Sequence, residues 1–236
     1  MFGYPDSLIR ARTSGAYNLG IKDLGDRQDQ IIDLGSCHGH GVEVIRRNLK
    51  PKIIISADRW IDFLMNQKEV LGTETISYTG LNLKSNLPFG NESTGAVFLI
   101  HVIEHLDRPG MCLEEIQRIL VKGGVCILAT PNKDNIVHVN YEDKWQYTRE
   151  DIRVLGERCG FRMEVWYLNA NERAYRARRI KKILARIPGT EQLRKIVPWK
   201  MWDRLMTSRE LTSDDFSAGF EEQRNSLDIV AIFTKE

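Results

Sequence analysis

The chain has 236 residues, 42% of them hydrophobic, which is enough for one well-buried α/β domain with an insertion or cap and too little for two full domains. A formal net charge of +2 and a pI of about 8.3 exclude the strong overall field that marks an obligatory nucleic-acid partner. Cys37, Cys112, Cys126 and Cys159 lack paired spacing and read as free thiols; with no signal-peptide pattern and no stretch near the roughly 18 apolar residues of a spanning helix, a cytoplasmic protein is expected.

Residues 1–28 are polar and loosely patterned, an N-terminal arm or helix laid over the domain edge. From Gln30 onward apolar runs alternate with helical periodicity. The run at 31–35 (IIDLG) reads as a strand, 41–49 as a helix and 52–57 (KIIISA) as a second strand, which makes a βαβ unit. A helix over 61–71, a short strand over 74–78, a turn-rich stretch and the strand 96–102 (AVFLIHV) follow. Next comes a helix over 111–120, closed by Gly123 and Gly124 before the strand 125–130, and then a helix N-capped by Thr148 that runs to about Arg158. The strand 161–168 precedes an interval, 171–223, that breaks the rhythm: it is mostly helical and basic, and reads as an insertion or cap. Residues 227–235 (LDIVAIFTK) return as the last strand. The expected fold is Rossmann-like α/β: a doubly wound, mostly parallel seven-stranded sheet formed by 29–170 plus 224–236, with the helical insertion before its last strand.

Asp33-Leu-Gly-Ser-Cys-His-Gly-His-Gly41 places a glycine-rich turn directly after an acidic strand end, where missing Cβ atoms let backbone approach a ligand. Its glycine register differs from the G-x-G-x-x-G of dinucleotide dehydrogenases, which disfavours a nicotinamide oxidoreductase. Asp58 closes the next strand, where a carboxylate can accept both ribose hydroxyls. The loop resembles that of class I S-adenosylmethionine-dependent methyltransferases, whose motif runs Asp-x-Gly-x-Gly-x-Gly. Cys37 stands at the middle glycine and is expected to require an ordinary backbone conformation there. The segments around Asn82-Leu83, FLIHVIEHLDRP, LVKGGVCILATPN and WQYTREDIRVLGERCGF resemble that family in order and spacing over residues 28–168. This resemblance implies S-adenosyl-L-methionine as cofactor. Asp33, Gly35, Ser36, Cys37 and Gly39 fall at its methionine end, Arg59 and Trp60 flank its adenine, and Asn82, with Leu83 beside it, stands where the family carries an adenine-binding Asp. His101 falls near its methyl group.

His101, Glu104 and His105 cluster at the exit of the fourth strand, and His105 is preferred as the general base; alternatively Glu104 and His105 only brace the loop. His138, Asn140, Tyr141 and Asp143 are candidates for the acceptor rim. The spacing Cys37-His38-x-His40 matches no common zinc signature, so no metal is expected. Ile180, Ile183, Leu184 and Ile187 recur at helical spacing among Arg176, Arg178, Arg179, Lys181, Lys182 and Arg186, an amphipathic basic helix that reads either as a lid or as a contact, over Arg176 to Ile187, with a peripheral membrane or lipid-linked substrate. The expected function is methyl transfer to an oxygen or nitrogen of a small-molecule acceptor, by resemblance a sugar or glycan-pathway intermediate. The alternatives are a lipid or quinone methyltransferase at a membrane surface and a non-catalytic methyltransferase-like binding protein.

Overall fold

In the computed structural model, which describes residues 7–22, 24–25, 29–135, 142–184 and 209–236, the described strands form one sheet in the order β3-β2-β1-β4-β5-β8-β6-β7. Strands β1 (Gln30–Leu34), β2 (Ile53–Asp58), β3 (Ile76–Gly80), β4 (Thr94–Ile100) and β5 (Leu120–Pro131) run parallel. Strand β8 (Ser226–Lys235) inserts antiparallel between β5 and β6 (Phe161–Ala170).

Alternation along the strands sends side chains to two cores. In β4, Ala96, Phe98 and Ile100 face the core shared with α1 (Ser7–Ile21) and α2 (His40–Asn48), whereas Val97 and Leu99 face the one shared with α4 (Pro109–Ile119) and α5 (Arg149–Arg158). Helix α3 (Ile61–Leu71) crosses from β2 to β3. Thr148 caps α5 in a reciprocal box with Asp151.

Three features refine the expectations. The sheet has eight described strands rather than seven: β7 (Phe216–Gly219) pairs antiparallel with the end of β6, so the interval 171–223 is not wholly helical. Strand β5 begins at Leu120, so Gly123 and Gly124 lie within it, and α4 stops at Ile119. The segment before β1 is a packed helix, α1, which buries Leu8, Ala11, Gly15, Ala16, Tyr17 and Gly20. Helix α6 (Glu172–Leu184) carries the expected basic segment as far as Leu184, buries Ala174 and Ala177 and exposes Ile183; Arg186 and Ile187 lie outside the described residues. No described helix is long and apolar enough to cross a membrane.

The strand order reverses between β1 and β4. Ligands of open α/β sheets bind at such a switch point, beyond the carboxyl ends of the strands. The loops after β1, β2, β3 and β4 all open there.

Candidate functional site

The loop after β1 is held open from below. Gly35 and Ser36 donate their amides to the Ala57 carbonyl at the end of β2, at 2.8 and 3.1 Å. Gly35 (φ +76°) and Gly39 (φ +79°) are left-handed, and a Cβ on Gly35 would lie 2.4 Å from Val102. Cys37 is left-handed as well, at φ 48°. The expectation of an ordinary backbone at Cys37 is therefore wrong: the loop geometry prevails over the residue's preference, at a cost of about 1–2 kcal/mol.

Sequence reasoning missed two braces. Gln67 of α3, 1% exposed, donates to the Cys37 carbonyl at 2.7 Å and to Ser36 Oγ at 3.0 Å, and accepts from Ser56 Oγ at 2.7 Å. Tyr17 of α1 donates to Asp33 Oδ1 at 2.6 Å and stacks on Phe98 with centroids 5.0 Å apart. Neither sits in a recognisable motif; Gly41 is the one trace of Tyr17 in the sequence, because a Cβ there would fall 2.1 Å from the phenol oxygen.

Asp33 is buried, and its Oδ2 has no hydrogen-bond partner among the described residues. Burial pushes its carboxyl up to about 7, opposed by the Tyr17 hydrogen bond and reinforced by Asp58. Asp58 accepts the Cys37 amide on Oδ2 at 2.8 Å and the Trp60 amide on Oδ1 at 2.9 Å, so it ties the first loop to the second and keeps a further lone pair on each oxygen. Asn82 Oδ1 accepts the Lys84 amide at 3.1 Å, an Asx turn that orients the side chain. The Arg59 guanidinium lies 4.9 Å from the ring centre of the exposed Trp60.

These loops enclose a cleft of about 590 Å³, within the usual range for a small-molecule site. Gly35, Cys37, Asp58, Arg59, Asn82, Leu83, His101 and His105 line it. Asp33, Ser36, Gly39 and Glu104 do not: Asp33 and Ser36 lie buried beneath it, Gly39 caps α2, and Glu104 is buried behind the histidines.

Two histidine–carboxylate pairs stand at the exit of β4. His101 Nε2 meets Asp228 Oδ1 of β8 at 3.1 Å, and His105 Nδ1 meets Asp143 Oδ1 and the Glu142 carbonyl, each at 3.2 Å. Glu104, 3% exposed, accepts from Thr130 Oγ1 at 3.2 Å, while its backbone carbonyl takes the amides of Lys144 and Trp145. Burial raises its carboxyl above the usual range, against the pull of both histidines. His38 packs against Phe63 with centroids 4.4 Å apart, and His40 bonds Ser14 and the Arg10 carbonyl of α1. Of the four expected rim residues only Asp143 is described; His138, Asn140 and Tyr141 lie outside the described residues.

Residues 32–128, which carry the loop, Asp58, Asn82 and the His101–His105 turn, match the family described as "Methyltransferase domain". The match spans 97 of the 236 residues, the part that carries the glycine-rich loop and the first strands of the sheet. The fold is similar to solved structures of S-adenosylmethionine-dependent methyltransferases from Archaeoglobus fulgidus (18% identity, 97% of this chain and 93% of that one covered, TM-score 0.60) and Aquifex aeolicus (14%, 64% and 82%, TM-score 0.55). It is also similar to the [4+2]-cyclase SpnF (14%, 94% and 81%, TM-score 0.64), so the fold by itself does not fix the reaction. No curated protein matches the chain. The methyltransferase-domain match makes S-adenosylmethionine the expected cofactor. The site fits it: Asp58, which lines the cleft, retains acceptor capacity for ribose hydroxyls, and directly beneath the loop the buried Asp33 Oδ2, without a hydrogen-bond partner among the described residues, favours positive charge above it.

Proposed function

We propose that the chain transfers a methyl group from S-adenosylmethionine to an oxygen or nitrogen of a small-molecule acceptor. The observation that carries this reading is the single cleft that gathers the loop after β1, Asp58, Asn82 and two carboxylate-held histidines. When bound, the cofactor supplies an electrophilic methyl whose carbon–sulfur electron pair returns to sulfur. Gly35 and Cys37 would form the backbone wall, with Ser36 and Gly39 shaping the turn behind it; Asp33, buried beneath that wall, would favour positive charge there, Asp58 would hold the ribose, and Asn82, Leu83, Arg59 and Trp60 would surround adenine. One of His101 and His105, with Glu104 behind them, takes the acceptor's proton, while the rigid strand ends keep the acceptor in line, a large part of catalysis in such displacements.

A sugar or glycan-pathway acceptor is supported by the polar side chains of Lys84, Asp107 and Glu142 among the residues that line the cleft. A lipid-linked acceptor is the second reading; the exposure of Ile183 beside the exposed Arg176 and Arg179 on α6 favours it. Isothermal titration with S-adenosylhomocysteine tests the reading. Binding is expected, and stabilisation in thermal melts by NAD instead would overturn it. A methyl-transfer screen over sugar and lipid-linked acceptors then separates the two acceptor classes.

A further inference from the structure

His101 is held by a clamp that lies outside the matched residues 32–128. Its carboxylate partner, Asp228, is 0% exposed and comes from the antiparallel β8. The Arg12 guanidinium of α1 fixes Asp228 in turn, with Nε 2.5 Å from Oδ2 and an Nη2 contact to Oδ1. Burial favours a protonated Asp228, but Arg12 and His101 outweigh it and hold the carboxyl well below the usual range. An ionised carboxylate only accepts. The ring nitrogen facing it must therefore carry the proton, and in a neutral imidazole Nδ1 is left with the lone pair.

The backbone adds a second constraint. His101 sits at φ 56° directly after β4, with its amide bonded to the Ala129 carbonyl at 2.8 Å, a conformation that a histidine adopts only when its surroundings impose it. The turn takes the chain from β4 to Val102, which packs under Gly35, and leaves the His101 ring lining the cleft. Among the described residues no partner faces Nδ1.

We propose that Asp228 and Arg12 are positioning residues that lock His101 in its Nε2–H tautomer, so that Nδ1 is the proton acceptor for the methyl-accepting hydroxyl or amine. The role as base rests on the methyl-transfer reading; the lock does not. It assigns the base to His101 ahead of His105, whose free nitrogen is instead Nε2 because Nδ1 is engaged.

Long-range proton–nitrogen correlation spectra of histidine-labelled protein at about pH 8, where imidazole is mostly neutral, read the tautomer directly, with His101 assigned by its loss in His101→Gln. The wild type is expected to show only the Nε2–H form. Asp228→Asn, whose amide can turn either its oxygen or its nitrogen to the ring, is expected to give both tautomers, and so is Arg12→Gln, which leaves Asp228 in place but frees it to move. An Nδ1–H ring in the wild type, or a single unchanged tautomer in the folded variants, would falsify the lock. Titration of the wild type with S-adenosylhomocysteine separates the two readings: a locked His101 with no binding overturns methyl transfer and the base while the lock stands. Binding to Asp228→Asn within about threefold of wild type is expected, because Asp228 bonds none of the cofactor-site residues other than His101.

Discussion

At the scale of single residues, Cys37 shows what the loop demands. A thiol at a left-handed position stores strain that glycine does not, so Cys37→Gly is expected to leave stability unchanged or to raise it by up to about 1 kcal/mol, whereas the β-branched Cys37→Val should lower it by more than 1 kcal/mol in urea melts. Equal effects of the two would mean that the backbone there is not left-handed. Asp33 makes a pH-dependent prediction. An acid held at about 7 in the folded chain, above its unfolded value of about 4, stabilises the fold only while protonated. The penalty grows as pH climbs past about 4 and is complete above about 7. The stability of Asp33→Asn relative to wild type is therefore expected to rise between pH 5 and pH 8 by an amount on the order of a few kcal/mol, and a difference that does not vary with pH refutes the shift. Asp58→Ala removes the acceptor of two loop amides as well as the ribose contact. Both an affinity loss for S-adenosylhomocysteine of at least tenfold, about 1.4 kcal/mol, and a lower Tm are expected; unchanged affinity in calorimetry sinks the ribose assignment. These carboxylates were legible as strand-end acids, but their braces were not, because Tyr17 and Gln67 are single polar residues on helices whose role appears only when the chain folds back.

At the scale of elements, what could be read depended on how each one is buried. Strands β1, β2, β4, β5 and β8 are covered on both faces and so appear as continuous apolar runs. Strand β7 has four residues, Phe-Ser-Ala-Gly, and borders the sheet, so nothing in its composition distinguishes it from a turn. Helix α1 was legible only as an arm or helix, for a different reason: its contacts are made by small residues, Ala11, Gly15, Ala16 and Gly20, which let it approach the sheet closely without any hydrophobic stripe. The junction of α1 with α2 is accordingly sensitive to one methyl group. Gly41→Ala would push Tyr17 off Asp33, and a loss of about 2–4 kcal/mol is expected, read as a fall in Tm of several degrees. Tyr17→Phe keeps the stacking on Phe98 but strips the buried carboxyl of its one donor among the described residues, at about 1–3 kcal/mol. If Gly41→Ala melts like the wild type, the close packing of α1 on the loop is refuted.

For the molecule as a whole, the ion pair between Arg12 and Asp228 joins the first described helix to the last strand, across 216 positions of sequence, and does so beside the cleft. Neither residue falls in the span matched to the family, yet both bear on the geometry of the site that span supplies. Removing one member of a buried pair leaves the other charge without compensation, so Arg12→Met is expected to cost about 3–5 kcal/mol near neutral pH. Acid reduces that difference. Asp228 has a folded pKa below its unfolded one, so its contribution is fully present above the ordinary carboxylate range and is lost as pH falls through that range toward the folded value. Without Arg12 the same buried carboxyl protonates at higher pH, and its neutral form no longer needs a cation. Urea unfolding of wild type and Arg12→Met should therefore give curves of stability against pH that lie far apart at pH 7 and converge as the pH drops below about 4. Parallel curves would mean that Arg12 acts through packing of its stem alone, and that the two ends of the fold are joined by shape rather than by charge.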